Sequence, residues 1–193
     1  MEAMKEFPDN HFDLAIVDPP YGIGITKSQR LAVSRGMGGK SWDNEAPSLE
    51  YFDEIRRVSR NQIIWGWNYF VEHLTPCKCF LMWDKNNYGR DFADCEQAWT
   101  SFDSVARIFK MRPMNMDGGK IHPTQKPVKL YKWLLKNYAE SGQKILDTHL
   151  GSMSIAIACH DYKCHLTGFE IDEDYFRAGT KRVQNHVNQL QLF

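Results

Sequence analysis

The stretch from Pro127 to Leu190 constrains the fold more than any other, because helix and strand signals alternate along it. Pro127 stands at a first helical position, Tyr131, Leu134 and Tyr138 follow at the spacing of one buried face, and Gly142 closes that helix. A short strand, Lys144 to Asp147, leads through a Gly151-Ser152 turn into a helix carrying Ile155, Ala158 and Cys159. A further strand, Leu166 to Glu170, feeds a last helix with Phe176, Val183, Val187 and Leu190 on one stripe. Right-handed crossovers make such strands parallel and bring their carboxyl ends, hence Asp147 and Glu170, to one edge of the sheet.

The earlier part of the chain adds strands to the same plan. Phe12 to Val17 reads as a strand that stops at Asp18-Pro19-Pro20, since two prolines remove two ladder donors. Ser48 caps a helix through about Arg60 with Phe52, Ile55 and Val58 inward, and Gln62 to Trp67 and Cys79 to Trp83 read as buried strands. Glu96 to Ser101 and Val105 to Phe109 form a hairpin turning at Asp103-Ser104. The expected architecture is α/β, mostly parallel with one antiparallel hairpin, and 193 residues suit one domain.

Composition narrows the function classes. A hydrophobic share of 42% with 25% charged residues excludes a mainly disordered chain. No apolar run approaches a membrane span, and Met1 to Asn10 is acidic without a signal-peptide core, so a cytoplasmic protein is expected. Cys77, Cys79, Cys95, Cys159 and Cys164 lack paired C-x-x-C spacing, which indicates neither disulfides nor a zinc site. Net charge is zero, yet Val105 to Lys136 holds eight bases and one acid, and Gly22 to Trp42 holds four bases and no acid. Such stretches are either solvated faces or contacts for a polyanion.

The strand end at Asp18-Pro19-Pro20-Tyr21-Gly22 combines an acceptor-only carboxylate, a rigid turn exposing carbonyls, and an aromatic face. Those parts suit an amino group on a flat ring, with Asp18 and a proline carbonyl each accepting one N–H; a plain diproline turn is the alternative. Asp147-Thr148-His149-Leu150-Gly151-Ser152-Met153-Ser154 is a strand end turning into a helix, where backbone amides face a nucleotide-like ligand. Glu170 falls at the next strand's end, where α/β nucleotide sites place an acid against ribose hydroxyls; capping or surface exposure is the alternative. Asp172 reads as the cap of the last helix.

With these residues the chain resembles the amino-methyltransferases of DNA, the N-4/N-6 DNA methylase family, whose signature is Asp, Asn or Ser before Pro-Pro-Tyr. In that family aspartate goes mostly with adenine and serine mostly with cytosine. The resemblance extends through Asp13 to Val17, Gly22 to Gly24, Ile64-Trp65-Gly66-Trp67-Asn68-Tyr69-Phe70, Phe80 to Lys85, Ala98 to Phe102 and His122-Pro123-Thr124-Gln125-Lys126-Pro127. It implies a Rossmann-like, S-adenosylmethionine-dependent methyltransferase fold over residues 1–193, in the permuted order with a catalytic half, 1–121, before a cofactor half, 122–193.

The implied reaction moves a methyl group from S-adenosylmethionine to the 6-amino group of an adenine flipped out of double-stranded DNA. Asp18, Pro19, Pro20 and Tyr21 are its catalytic residues. Asp18, Thr124, Gln125, Lys126, Asp147, Thr148, Gly151, Ser152 and Glu170 are its cofactor residues, with Thr124 and Lys126 on the methionine carboxylate. The family more often writes Asp-Pro-Phe and Gly-Ser-Gly-Thr, from which Thr148, His149 and Met153 depart. Lys27, Arg30, Arg35, Lys40 and Trp42 in one basic segment, and Lys110 and Arg112 in the other, are expected at DNA. No metal is needed. Because the segment from Lys110 to Ile121 is short for reading DNA, a homodimer or a partner subunit is expected. Other readings change the acceptor to the 4-amino group of cytosine, an amide in a protein or a base in RNA, or make the chain a degenerate, non-catalytic subunit that binds DNA or cofactor.

Overall fold

The computed structural model describes residues 1–24, 42–89, 93–113 and 119–189. Among the described residues seven strands form one sheet: β1 (Phe12–Val17), β2 (Ser59–Trp65), β3 (Leu81–Asp84), β4 (Cys95–Thr100), β5 (Arg107–Lys110), β6 (Lys144–Asp147) and β7 (His165–Gly168). Their spatial order is β5-β3-β4-β2-β1-β6-β7. The described helices of four residues or more are α1 (Glu2–Lys5), α2 (Leu49–Val58), α3 (Val128–Tyr138), α4 (Ser154–Tyr162) and α5 (Glu173–Val187).

β1 is apolar on both faces because it is central, paired in parallel with β2 on one side and with β6 on the other. Leu14 and Ile16 join Trp65 and Trp83 under α3 and α4, which contribute Leu130, Leu134, Ile155 and Ala158. Ala15 and Val17 face the opposite way, where Phe52, Ile55 and Val58 of α2 cover them. Fully burying side chains of this size stabilises by about 1.5–3 kcal/mol each, so two helical layers on one sheet hold the plan together.

Only β4 runs against its neighbours, antiparallel to both β2 and β3. The expected hairpin between Glu96–Ser101 and Val105–Phe109 does not form, because β3 lies between those two strands and β5 pairs in parallel with β3. The connection between Thr100 and Arg107 spans the roughly 10 Å of two strand spacings, which a two-residue turn does not. Antiparallel hydrogen bonding falls instead to β3 and β4, in the register Leu81↔Ala98 and Trp83↔Glu96.

The last helix is rotated from the expected stripe. Phe176 and Val187 are exposed, whereas Tyr175 and Gly179 are buried. Gly179 turns inward because Met153 packs directly on it, and a Cβ there would lie 2.6 Å from Met153 Cγ. Asp172 caps this helix as expected, accepting from the amides of Asp174 and Tyr175. The carboxyl ends of the parallel strands lie along one edge, and the reversal of β4 delivers its first residues, Cys95 and Glu96, to that same edge.

Candidate active site

Past the last ladder pair of β1, the Pro19-Pro20 turn is held by a residue that sequence reasoning did not single out. The buried Asp43 carboxylate accepts the backbone N–H groups of Tyr21 and Gly22 at 2.8 and 3.1 Å. The turn directs the Tyr21 phenol onto Asp18, which accepts from it at 2.8 Å on Oδ1. The Tyr21 ring stacks on Tyr69 with centroids 4.8 Å apart and planes 16° off parallel. Gly66 makes this fit possible: its φ of +74° is left-handed, and a Cβ would lie 2.1 Å from the Tyr21 ring.

On the other oxygen of Asp18 stands Lys126, 3% exposed, whose ammonium contacts Asp18 Oδ2 directly. The same ammonium is 3.0 Å from Glu96 Oε2 and 5.2 Å from the centroid of the Trp65 ring. Lys85 in turn sits 2.7 Å from Glu96 Oε1. Lys85, Glu96, Lys126 and Asp18 thus alternate in sign and sum to zero, the condition under which charges survive burial. Burial pushes the Asp18 carboxyl above its ordinary value, against the pull of Lys126. Burial acts on Glu96 in the same direction but is outweighed by Lys126 and Lys85, which hold it down at about 2. For Lys126, burial is outweighed by Asp18 and Glu96, which raise the ammonium above its usual value.

The neighbouring strand ends carry the second group of expected residues. Asp147 is buried at the end of β6 and accepts from the His149 amide at 3.0 Å; burial raises its carboxyl to about 7. Glu170 accepts the Gly151 amide at 2.7 Å on one oxygen and the Asp172 amide at 2.8 Å on the other. The polar residues that replace the family's usual Pro-Phe satisfy one another. Thr148 Oγ1 lies 2.6 Å from the Tyr51 hydroxyl and 2.9 Å from His149 Nδ1, and burial lowers His149 to about 4, leaving it neutral near pH 7. Ser152 is buried, with its hydroxyl 3.1 Å from that of Ser154 and its carbonyl accepting from Arg182 at 2.9 Å. Met153 heads α4 at φ 55°, ψ 28°, the left-handed region where the family's glycine is unstrained.

The segment before α3 joins the two groups. The His122 ring lies against Gly151, 3.6 Å from where a Cβ would stand, and the rings of Trp42 and Tyr175 pack on His122 with centroids 5.1 and 4.3 Å away. Gln125 is buried and clips its own loop, accepting from the Ile121 amide and donating to the Gly119 carbonyl, both at 3.0 Å. Thr124 is exposed, its hydroxyl 3.2 Å from His122 Nδ1. Asp18, Lys126, Asp147, Gly151 and Glu170 therefore share one edge of the sheet.

A nucleoside-bearing cation fits this donor set. The Glu170 carboxylate spends one bond on each oxygen and retains acceptor capacity for a pair of hydroxyls, and the Gly151-Ser152 turn offers a glycine backbone beside it. A cleft of about 270 Å3, lined by Pro20, Glu45, Ser48, Tyr51, Thr148 and His149, opens at this edge. A larger cavity, about 390 Å3 and lined by Arg56, Thr75, Cys77 and Asp103 among others, lies toward the opposite edge and holds none of these groups.

Of the residues expected at DNA, Lys27, Arg30, Arg35 and Lys40 lie outside the described residues. Trp42 is half-buried against His122. Lys110 is exposed at the end of β5, 3.5 Å from Asp84 Oδ2, and the exposed Arg112 donates to the Asn86 carbonyl at 2.9 Å. Among the described residues no group of His, Cys, Asp or Glu is arranged to hold a metal ion, and no helix is long and apolar enough to cross a membrane. Sequence reasoning assigned no role to Asp43, Tyr69, Lys85 or Glu96. Tyr69 and Lys85 fall within the segments that carry the resemblance, and Glu96 left a trace as an acid on the same strand face as the apolar Ala98, whereas Asp43 left none.

Known proteins share the sequence pattern and the fold of this chain. The pattern of the N6/N4 family described as DNA methylase matches residues 68–181. YubD of Escherichia coli (strain K12), which carries the name of a methylase, is 23% identical over 95% of this chain and 86% of its own. The type II methyltransferase M.HpaI of Haemophilus parainfluenzae is 21% identical over 97% of this chain and 73% of its own. Among solved structures, the complex of M1.HpyAVI with S-adenosylmethionine superposes with a TM-score of 0.64 at 18% identity, covering 94% of this chain and 91% of that one. The cytosine-N4-specific PvuII DNA methyltransferase gives the same TM-score at 12% identity, covering 96% and 87%.

Proposed function

The chain belongs to the DNA methylase family, and from that premise we propose that it methylates the 6-amino group of adenine in DNA with S-adenosylmethionine as donor. The observation that carries this reading is the Asp18 carboxylate, fixed by Tyr21 on Oδ1 and by Lys126 on Oδ2 at the edge where Asp147 and Glu170 also end. Each Asp18 oxygen keeps a second lone-pair site, and the ionised carboxylate accepts one N–H of the amine while the Pro19 carbonyl accepts the other. Drawing both N–H groups to acceptors localises the nitrogen lone pair, which conjugation with the ring otherwise withdraws. The stacked pair of Tyr21 and Tyr69 supplies the flat apolar surface that holds a base taken out of its stack.

S-adenosylmethionine supplies a methyl group on a positively charged sulfur. Glu170 binds its ribose hydroxyls, the Gly151-Ser152 turn borders its nucleoside, and Lys126 with Thr124 faces its carboxylate. Lys126 serves both halves of the site, since two of its three N–H donors are engaged by Asp18 and Glu96. Thr148 and Gln125 act behind this layer by holding His149 and the loop before α3. The basic residues Lys110 and Arg112 contact DNA phosphates, together with Lys27, Arg30, Arg35 and Lys40.

A second reading, the 4-amino group of cytosine, is supported by the equal likeness of the fold to a cytosine-N4-specific enzyme. DNA from cells expressing this chain alone, sequenced so that methylated bases are read directly, decides between them. Methyl groups on adenine within one short sequence are expected. Modified cytosine would move the assignment to the second reading, and unmodified DNA would make the chain a non-catalytic subunit.

A further inference from the structure

We propose that Glu96 is a positioning residue for Asp18: by gripping Lys126 from the side opposite Asp18, it divides the ammonium between two carboxylates and keeps Asp18 free to accept a hydrogen bond from the target amine. The inference rests on the reading of Asp18 as the amine's acceptor. Its ground is geometric. Lys126 Nζ touches Asp18 Oδ2 and stands 3.0 Å from Glu96 Oε2, and Glu96 is anchored from behind by Lys85 at 2.7 Å. The side chains of Glu96 and Lys126 are 22% and 2% exposed, so solvent does little to screen the attraction. Glu96 reaches this edge because β4 alone is reversed, which places the start of that strand beside the end of β1's neighbour β2.

An ammonium left with one carboxylate would concentrate on it. Asp18 would then surrender to Lys126 the lone pairs that the amine requires, and its negative charge would be held more tightly. Charged and titratable groups reach Asp18 from every element around it: Lys126 before α3, Glu96 on β4, Tyr21 after β1, Asp147 on β6, Tyr51 on α2 and Tyr131 on α3. Among them Lys126 pulls the Asp18 carboxyl down, whereas Glu96 pushes it up. Glu96→Gln keeps the shape and removes the charge, so the Asp18 carboxyl should titrate lower. Lys85→Met removes a positive charge and leaves Glu96 to draw Lys126 harder, so the Asp18 carboxyl should titrate higher.

The test is a carboxyl NMR titration of the cofactor-free protein labelled at aspartate, with the Asp18 signal assigned by its loss in Asp18→Asn. A downward shift of about one pH unit is expected in Glu96→Gln and an upward shift in Lys85→Met, as one nearby charge typically produces. In parallel, kcat of Glu96→Gln should fall about tenfold or more while S-adenosylmethionine binding by calorimetry stays within about threefold. The acidic limb of its pH profile should follow the NMR shift. An Asp18 signal that moves in neither variant, or kcat unchanged in Glu96→Gln, overturns the proposal. If Glu96→Gln does not fold, the upward shift in Lys85→Met decides alone. Full turnover by Asp18→Ala would instead refute the acceptor role of Asp18, an outcome distinct from the titration.

Discussion

Met153 and Gly179 form a pair whose energetics can be worked out before any measurement. Met153 occupies φ 55°, ψ 28°, which costs a side chain with a Cβ about 1–2 kcal/mol relative to glycine. Its side chain is only 5% exposed, and truncating a buried Met costs about 2–5 kcal/mol. Met153→Gly should therefore destabilise by up to about 4 kcal/mol, the strain relieved offsetting part of the packing lost. Gly179→Ala improves helix propensity by about 1 kcal/mol but sets a Cβ 2.6 Å from Met153 Cγ. Rotation of the outer bonds of Met153 does not clear a clash at Cγ, and overpacking of this kind costs about 1–3 kcal/mol. Alone, then, Gly179→Ala should destabilise by up to about 2 kcal/mol; in the Met153→Gly background, where the obstacle is gone, it should stabilise by about 1 kcal/mol. Thermal denaturation reads this as a fall of up to about 8 °C in the first case and a rise of about 2–4 °C in the second. The reversal of sign is the prediction. Equal effects of Gly179→Ala in both backgrounds would show that the two residues do not compete for the same space.

Four further outcomes are expected. Asp18→Ala should lower kcat by about a hundredfold or more, as losing one oriented acceptor does in comparable sites, with the fold retained in circular dichroism; near-full turnover refutes the role. Glu170→Gln should raise the dissociation constant for S-adenosylmethionine about tenfold or more in calorimetry, because a charged acceptor for the hydroxyls becomes a neutral one; unchanged binding leaves Glu170 only its bonds to Gly151 and Asp172. Burial lowers His149 from 6.5 to about 4, so protonation favours the unfolded chain and stability is lost as pH falls through 6.5 toward 4. His149→Phe should remove that loss, and its melting temperature relative to the unsubstituted protein should rise across this window; Asp147, raised to about 7, gives an opposite slope common to both proteins. Static light scattering at micromolar concentration, with and without duplex DNA, should give a dimer, and a strict monomer that still methylates one sequence efficiently refutes it.

The sequence was informative where local chemistry decides the structure and uninformative where pairing across the chain decides it. The Asp18-Pro19-Pro20 stop, the strand ends at Asp147 and near Glu170, and the Asp172 cap follow from proline's missing donor, strand–helix periodicity and capping, all readable within a few residues. The partner of β4 was not readable, because nothing between Thr100 and Arg107 distinguishes a turn back from a step over β3. Phe176 looked inward by hydrophobicity, yet the contact between Met153 and Gly179 sets the helix rotation, and a glycine gives no apolar signal. The clamps made by Asp43 and Glu96 depend on meeting residues far along the chain, whereas the loop clip of Gln125 is local but involves a turn without a periodic signal.

The central place of β1 also governs how the protein comes off the ribosome. One edge of β1 is closed early by β2, but the other is closed only by β6, and the Lys144 amide that meets the Asp13 carboxylate is 131 residues distant. At about 5–20 residues per second, synthesis leaves that edge unpaired for about 7–26 s. During this interval an apolar strand, buried on both faces in the finished protein, is open to any passing strand. Slower decoding between β2 and β6 should lengthen the exposure and lower soluble yield without altering a single residue, whereas a cut in that interval yields a fragment with an open sheet edge rather than an autonomous catalytic half.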